Sequence, residues 1–252
     1  MLVEVWSDVV CPWCYLGKRH LEAALAAFPH AAETTVAWRS FELDPRAPSR
    51  IEGSLQELIA RKYGMTAEQA AAGNARLTSL AAQVGLRYRL DDVKVGNSFD
   101  AHRLIHLAGT YGLAPVAKER FLAAYFTEGA AIGDHEVLAR LAGDVGLDSS
   151  EVRSVLDGDA FAEDVRADER RAGELGISGV PFFVVDGRWG ISGAQPPDTI
   201  LRVLDQAWAD LGSGAGQGSE AGGSGAGTSG TDPADATGAE GGDACDTGSC
   251  AV

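Results

Sequence analysis

Apolar and polar residues alternate along two short stretches near the N-terminus and then adopt the longer spacing of helices. The alternation predicts β-strands at Leu2–Val9 and near Thr34–Phe41, with a helix between them. From about Ile51 to Gly176 the chain is rich in Ala, Leu, Glu and Arg with punctuating glycines, which predicts a block of helices. Two of these helices are expected near Ala67–Val84 and Pro115–Thr127.

The pattern returns to strands after this block. Two apolar runs, VPFFVV and RWGIS, flank Asp186 and Gly187, a dipeptide that favours the two-residue type I′ turn of a β-hairpin. An amphipathic helix is expected at Pro197–Leu211. The predicted order is therefore β-α-β, a helical block, a β-hairpin and a last helix, which belongs to the α/β class.

Residues 212–252 differ in composition from the rest of the chain. They hold 13 of the 32 glycines and six acidic residues, with no Lys or Arg. Such a composition cannot bury enough apolar surface to fold, so we predict a disordered, Gly-rich acidic tail. This tail carries a C-x4-C pair, Cys245 and Cys250.

Charge and targeting patterns exclude several classes of partner. The formal net charge is −15, so phosphate backbones and anionic lipid surfaces are expected to repel the chain. We therefore expect no nucleic-acid and no membrane partner. The N-terminal stretch MLVEVWSDVV does not resemble a secretory signal, and no apolar run reaches the roughly 18 residues of a membrane helix. These features predict a cytoplasmic protein, and cytoplasmic disulfides are mainly transient and catalytic.

The other cysteine pair lies where the first strand ends, in the sequence CPWC. Pro12 suits the first position of a helix, which places Cys11 near the N-cap. The helix dipole and free amides there can lower a thiol pKa from about 8.5 to roughly 3.5–7.5. Cys14 shares the core-facing stripe of this helix with Leu21 and Phe28. We therefore expect Cys11 to be exposed and Cys14 to be sheltered.

An exposed thiolate beside a protected thiol has the asymmetry that thiol–disulfide exchange requires. The first thiolate attacks a substrate disulfide, and the second thiol resolves the mixed disulfide. Half of a zinc site and a pair of inert buried thiols stay open as alternatives. A zinc site needs two more ligands, and only the tail pair offers them as cysteines, so we predict no metal.

Four separated motifs resemble one known family. CPWC, WRSFELDP at 38–45, NSFDAHRLIHLA at 97–108 and GISGVPFFVVDGRWGISGAQP at 176–196 resemble the FrnE-like branch of the DsbA family of thioredoxin-fold oxidoreductases. The resemblance implies an α/β thioredoxin fold with a large all-helical domain inserted. A discontinuous thioredoxin-like domain is then expected at 1–46 and 177–211, and the inserted domain at 47–176.

The resemblance also implies roles for individual residues. Cys11 is the attacking thiol, Cys14 is the resolving thiol, and Pro181 is a cis-proline preceded by Val180, whose backbone binds substrate. The implied partners are protein or peptide thiols and disulfides. No cofactor is implied beyond the redox-active disulfide, with glutathione as a candidate co-substrate.

Departures from the family pattern lie close to the cysteines. Thioredoxins and several relatives have a buried acid six residues before the first cysteine, and here this position is Val5. Strongly oxidising members have a histidine immediately before the second cysteine. Trp13 holds that place here, so we expect a milder oxidant. Pro12 and Trp13 are expected at the substrate surface, and Asp8 is expected to face solvent.

The third motif supplies further candidates for the substrate cleft, Asn97, His102 and Arg103. His102 and His106 are one helical turn apart, a spacing that metals can use, but no further ligand pattern completes a set. A position on a helix face or in the cleft is therefore expected for these histidines.

The tail cysteines are expected to reach the active site. About 30 residues of Gly-rich coil span about 30 Å r.m.s., which exceeds the radius of gyration of roughly 17 Å expected for the compact body. Tethering then gives an effective concentration on the order of mM. Cys245 and Cys250 are therefore candidates for an internal redox shuttle, with inert spectators as the alternative.

Two other functions stay open. Relatives on the same fold include 2-hydroxychromene-2-carboxylate isomerases and kappa-class glutathione transferases, so a glutathione-dependent isomerase or transferase, or a role in polyketide biosynthesis, is an alternative. Those enzymes typically have serine in place of the first cysteine, whereas this chain has both thiols. A non-catalytic, chaperone-like binder of extended chains is the other alternative. The sequence does not determine the oligomeric state.

Overall fold

A four-stranded β-sheet organises the molecule, as seen in a computed structural model that describes residues 1–214. The strands are β1 (Leu2–Ser7), β2 (Thr35–Ser40), β3 (Phe182–Val185) and β4 (Trp189–Ser192), in the order β2-β1-β3-β4. β1 and β2 are parallel, whereas β1 with β3 and β3 with β4 are antiparallel. This is the predicted thioredoxin-like arrangement, in which β-α-β and a β-hairpin complete one sheet.

The predicted hairpin turn lies between β3 and β4. Asp186 and Gly187 both have positive φ, at 47° and 66°, as a type I′ turn requires. The Asp186 carboxylate also accepts a hydrogen bond of 2.7 Å from the Leu2 amide. The turn therefore ties the hairpin to the start of β1.

Two helices close one face of the sheet. These are α1 (Pro12–Ala27) and α9 (Pro197–Gly214), which pack against each other. Because side chains alternate along a strand, Val3 and Val5 of β1 point to this face and join a buried core with α1 and α9. Trp6 points to the opposite face, where its indole N–H donates to Asp168 O at 2.9 Å.

The predicted helical block lies between β2 and β3. Its helices are α2 (Leu55–Tyr63), α3 (Ala67–Gln83), α4 (Phe99–Thr110), α5 (Ala114–Phe126), α6 (His135–Val145), α7 (Ser149–Asp157) and α8 (Ala162–Glu174).

Local sequence sets several of these helix starts. Ser54 and Thr66 form capping boxes with Glu57 and Gln69 at the starts of α2 and α3. Asp148 caps α7 through its carboxylate, as an equivalent aspartate does for α6.

The first helix joins the two parts of the molecule. Leu21 and Ala24 of α1 pack in the core shared with the sheet, whereas Tyr15 and Leu16 pack in the core of the helical block. The start of α1, with its two cysteines, therefore lies where the cores meet. Within the described residues, no helix is long and apolar enough to cross a membrane.

Candidate active site

The CPWC segment starts α1 as the sequence predicts. Cys11 is the N-cap, with extended backbone angles, and Pro12 occupies the first turn. The Cys14 amide donates to Cys11 O at 3.0 Å, so the second cysteine begins the helical hydrogen bonding. Both cysteines are free thiols.

Both thiols are buried, which corrects the expectation that Cys11 is exposed. Cys11 is 0% and Cys14 is 1% exposed. The cover comes from residues distant in sequence, since Ile177 and Val180 pack on the thiols together with the half-buried Phe41 and Leu43. An N-cap is open in an isolated helix, but here the loops after β2 and before β3 close over it.

The loop before β3 lies against the first thiol. Cys11 Sγ donates to Val180 O at 3.4 Å, and the following Val180–Pro181 peptide bond is cis. Pro181 is buried and lies close to Gly17 on α1, where a Cβ atom would be 2.8 Å from Pro181 Cγ. Gly17 is therefore the contact that lets α1 approach this loop.

The two residues between the cysteines are partly accessible. Pro12 and Trp13 are half-buried, and Tyr88 donates a hydrogen bond of 2.6 Å to Pro12 O. Trp13 packs against the cores on both sides of the site. These two residues therefore form the least covered part of the motif.

The pKa of Cys11 is raised, whereas the sequence predicts a lowered pKa. Burial raises the pKa of the Cys11 thiol well above its ordinary value, and Cys14 and the Asp8 carboxylate raise it further. The hydrogen bond from the Cys14 amide lowers it but does not outweigh burial. The predicted stabilisation of the Cys11 thiolate is therefore wrong for this covered thiol.

Asp8 is also buried, with 0% exposure, so the expectation that it faces solvent is wrong. Its carboxylate accepts from the amides of Leu43 at 2.8 Å and Val10 at 3.3 Å, and it contacts His102 Nε2 at 3.3 Å. Burial by itself raises the pKa of Asp8, but the interaction with His102 and the hydrogen bonds from Leu43 and Ser98 outweigh it and hold the Asp8 pKa below its ordinary value. Asp8 is therefore a buried anion that fixes the loop covering Cys11.

His102 is the one cleft candidate from the third motif that reaches this cluster. It is 1% exposed, and because an ionised Asp8 only accepts, the proton on Nε2 belongs to His102. Burial lowers the pKa of His102, and the charge of Lys118 lowers it further, against the effect of Asp8. His102 is thus a neutral positioning partner of Asp8.

Lys118 on α5 was missed by sequence reasoning. It is 1% exposed, and Nζ donates to Ser7 O, at the end of β1, at 2.9 Å. Burial lowers the pKa of Lys118 to about 8, although Cys14 and Asp8 act in the opposite direction. Its sequence position, inside the helix predicted near Pro115–Thr127, gives no signal of this location.

Arg103 does not lie in the cleft, which corrects its sequence assignment. Its guanidinium donates to Ala160 O at 2.9 Å, Gly158 O at 2.7 Å and Val155 O, and pairs with Asp100. These contacts join α4 to the end of α7, so Arg103 has a structural role.

Asn97 contacts a charged cluster rather than the thiols. Its amide donates to Glu42 Oε1 at 3.3 Å, and its carbonyl oxygen accepts from Phe99 N at 2.8 Å. Arg166 pairs with the same Glu42 at 2.5 Å. Burial raises the pKa of Glu42 to about 7, since Arg166 offsets only part of the desolvation and Glu169 adds repulsion.

This raised Glu42 pKa predicts a pH-dependent stability. The folded state holds the Glu42 proton to higher pH than the unfolded chain, whose ordinary pKa is 4.5. Stabilisation is therefore fully present below pH 4.5 and is lost as the pH rises through 7. In the wild type, we expect the unfolding free energy to fall by about 1–3 kcal/mol as the pH rises across this range. In Glu42→Gln we expect this fall to be absent, as measured by urea unfolding.

The exposed Glu174 offers a matched control for this change. Glu174→Gln is expected to retain the wild-type pH dependence. An unchanged pH dependence in Glu42→Gln contradicts the assignment.

A cavity of about 420 Å³ opens beside Val10, the residue before Cys11. Arg61 and Lys62 lie on its lining with Asp44, and Tyr125 forms part of its wall. The remaining wall is mostly apolar, with Leu43, Ile51, Leu55, Leu58, Ile59 and Val95. Its volume and composition suit a small organic molecule.

The described residues contain no group of three or more His, Cys, Asp or Glu side chains that could hold a metal ion. The tail cysteines, Cys245 and Cys250, and the predicted tail itself lie outside the described residues, apart from the end of α9.

Fold and site together define a thioredoxin-fold protein with a dithiol at a helix N-terminus, facing a cis-proline loop. The chain belongs to the DSBA-like thioredoxin domain family, which matches residues 2–205. A DsbA-like fold supports an oxidoreductase or an isomerase activity in general. The narrower FrnE-like resemblance stays a prediction.

Individual relatives agree with this family. The crystal structure of the probable DsbA oxidoreductase SCO1869 from Streptomyces coelicolor is 47% identical, with a TM-score of 0.81, covering 83% of this chain and 91% of that one. The uncharacterized protein YwbO of Bacillus subtilis is 28% identical over 80% of this chain and 94% of its own. The structure of the cytosolic disulfide reductase DsbM from Pseudomonas aeruginosa with GSH is 18% identical, with a TM-score of 0.59. The match covers 83% of this chain and 100% of that one. This last similarity shows the fold alone.

Proposed function

We propose that this protein is a cytoplasmic thiol–disulfide oxidoreductase that reduces disulfides in proteins or peptides. The observation that carries the proposal is the position of Cys11 Sγ at the N-cap of α1, 3.4 Å from Val180 O, with Cys14 one turn further along. A nucleophilic thiol, a resolving thiol and an extended backbone segment beside them are the three parts that disulfide exchange requires.

The reaction proceeds by two displacements. Cys11 loses its proton and attacks one sulfur of the substrate disulfide, and the other substrate sulfur leaves as a thiolate. Cys14 then attacks Cys11 Sγ and displaces the second substrate thiolate. The substrate gains two electrons, and the protein becomes a Cys11–Cys14 disulfide. Because Cys11 is covered, substrate binding must displace some of its covering side chains.

The electrostatics of the dithiol favour the reductive direction. A strongly oxidising dithiol owes its potential to a stabilised thiolate in the reduced form. Here burial, Cys14 and the buried Asp8 all disfavour the Cys11 thiolate, and Trp13 replaces the histidine of oxidising relatives. A reducing dithiol also suits a compartment in which thiols are kept reduced.

The first test is the equilibrium of the dithiol with a glutathione redox series, read as mass shifts after thiol alkylation. The protein used carries Cys245→Ser and Cys250→Ser, so that Cys11 and Cys14 are the only thiols that exchange with glutathione. We expect a reversible two-electron transition with a midpoint nearer to about −270 mV than to about −120 mV. The absence of a transition at every potential rules out the dithiol cycle, and a midpoint near the oxidising limit reverses the direction.

Glutathione and the tail pair are part of this proposal as the groups that reduce the protein again. The same titration in the chain with its natural tail tests the tail pair. Engagement of Cys245 or Cys250 with the site is expected to produce disulfides between the tail and Cys11 or Cys14, detected by mass after proteolysis.

A glutathione-dependent isomerase or transferase is a second candidate function. The cavity beside Val10 favours it, since the size and apolar wall of the cavity suit a small molecule and Arg61 and Lys62 suit an anionic group. Two retained thiols at the site favour the oxidoreductase instead.

A further inference from the structure

The cavity beside Val10 adjoins the dithiol, and the inference drawn from it deepens the proposed function, on which it rests. Val10 lines the cavity and is the residue before Cys11. Leu43 also lines the cavity, and it packs against the buried cluster that contains Cys11 and Cys14. A molecule held in the cavity therefore touches a side chain that covers the attacking thiol.

The apolar wall of the cavity is the face of a helix that is not buried in a core. Leu55, Leu58 and Ile59 of α2 have the spacing of one helix face, and all three line the cavity. Helices of globular proteins normally bury such a face, but no residue of α2 is fully buried. The helix therefore presents an apolar surface to an unfilled space next to the site.

Two cations lie at the end of the same helix. Arg61 and Lys62 are in the last turn of α2, they line the cavity, and both are exposed. Asp44 is the acidic residue on the lining, so positive charge exceeds negative charge there. Glu57, one turn before Arg61, is engaged by the Ser54 amide at 2.9 Å. The cations are therefore placed to pair with an anion that enters the cavity.

The region around the cavity is basic, although the protein as a whole is acidic. The segment 43–95, which supplies most of the lining, has eight basic and six acidic residues, whereas the whole chain has 21 basic and 36 acidic residues. An acidic segment of a substrate is therefore repelled by much of the surface and attracted to this region.

The position of the cavity favours a polypeptide over a small molecule. The cavity begins about one residue, or about 3.8 Å along the backbone, before Cys11 rather than at its sulfur. A small molecule that fills the cavity still meets Leu43, which packs over the dithiol. An extended peptide advances about 3.3 Å per residue. It can therefore place a cysteine at Cys11 and a nearby side chain in the cavity.

We propose that the cavity is a specificity site for substrate polypeptides: it binds an apolar side chain near the substrate cysteine, and Arg61 and Lys62 bind an acidic residue beside it. The apolar side chain packs on the exposed face of α2. Its contact with Leu43 helps to displace that side chain from Cys11. The protein thus selects disulfides in segments that are both acidic and apolar.

Two sets of peptides test the proposal, and every form of the protein carries Cys245→Ser and Cys250→Ser. Each set varies the residues beside one cysteine, with leucine or serine at one position and glutamate or lysine at the next. In the first set the cysteine forms a disulfide, and its reduction by the reduced protein is followed by mass after acid quenching. In the second set serine replaces the cysteine, and binding is measured by fluorescence anisotropy, which requires no thiol chemistry.

We expect the peptide with leucine and glutamate to react and bind about tenfold better than the peptide with leucine and lysine, since two cations act on one charge. Arg61→Glu combined with Lys62→Glu should invert this preference. If that variant does not fold, the salt dependence of the unchanged protein decides the question. There the preference for glutamate should weaken as the ionic strength rises, because salt screens exposed charges.

Leu58→Trp tests the apolar part of the cavity. Leu58 is half-exposed on α2 and lines the cavity, so a larger apolar side chain fills space there without burying a polar group. In the unchanged protein we expect leucine to be preferred over serine by about tenfold, because the leucine side chain leaves water. Leu58→Trp should remove most of this preference.

A pair of distant arginines provides the matched control for charge. Arg140 of α6 and Arg202 of α9 are both exposed. Arg140→Glu combined with Arg202→Glu changes the net charge as much as the cavity variant does. It should retain both the preference for glutamate and the preference for leucine.

The outcomes are distinct. Equal rates and equal binding for all peptides overturn the specificity site, and a preference for glutamate that survives Arg61→Glu with Lys62→Glu overturns the role of the cations. Charge dependence confined to glutathione disulfide shows that the cavity binds a small anionic thiol instead of a polypeptide. If the binding preferences are present but neither the peptides nor the uncharged bis(2-hydroxyethyl) disulfide is reduced, the proposed function fails while the cavity stands as a binding site.

Discussion

Replacing Cys11 with serine is expected to reduce disulfide-exchange activity by at least about 1,000-fold, because a hydroxyl group cannot replace the attacking thiolate. The change exchanges sulfur for oxygen at a buried position and retains a donor for Val180 O, so the fold should persist. The measurement is the steady-state reduction of a peptide disulfide, with circular dichroism to confirm folding.

Cys14→Ser is the matched control for this prediction. It retains Cys11, so the first displacement should proceed and a mixed disulfide should accumulate, detected by mass. If Cys11→Ser retains substrate turnover, the dithiol mechanism is wrong and the isomerase or transferase function takes its place. If only binding of extended chains is found, and it is equal in both variants, the chaperone-like binder is favoured.

Replacing Gly17 with alanine is expected to have the second largest effect. The new Cβ atom would lie 2.8 Å from Pro181 Cγ and 3.3 Å from Phe183 Cζ, which is too close for unchanged packing. Because both partners belong to the loop and strand that face Cys11, α1 must move relative to Val180. We expect a loss of about 1–3 kcal/mol in unfolding free energy and a 10- to 100-fold slower exchange rate.

Gly73 in α3 provides the control for the added methyl group. A Cβ atom there has no neighbour within 4 Å, so Gly73→Ala should leave exchange unchanged and stabilise the helix by up to about 1 kcal/mol. Equal behaviour of the two alanine variants in urea unfolding and in exchange would show that the approach of α1 to Pro181 is not required.

The buried charges explain how one site combines stability with reactivity. Asp8 holds the covering loop through the Leu43 amide, and the same carboxylate raises the pKa of Cys11. Asp8 therefore both orders the loop over the site and disfavours the Cys11 thiolate. This links the cover over the dithiol to the reducing character proposed for it.

Features that depend on neighbouring residues were predictable from the sequence. Asp186 and Gly187 form the expected hairpin turn because both positions require positive φ, which this dipeptide tolerates. Cys11 is the helix N-cap because Pro12 suits the first helical position. The predicted strand at Leu2–Val9 ends instead at Ser7, where Asp8 turns inward to accept from Val10 and Leu43.

Features that depend on contacts between distant segments were decided only by the tertiary structure. Cys11 and Asp8 are buried because the loops carrying Leu43 and Val180 fold over them, and no local pattern encodes that cover. Lys118 has an unremarkable place in its helix, and only the packing of α5 against the end of β1 buries its amine against Ser7 O. The sequence therefore determined the elements and the dithiol, since both follow from local chemistry. The burial and charge that set thiol reactivity were decided by long-range packing.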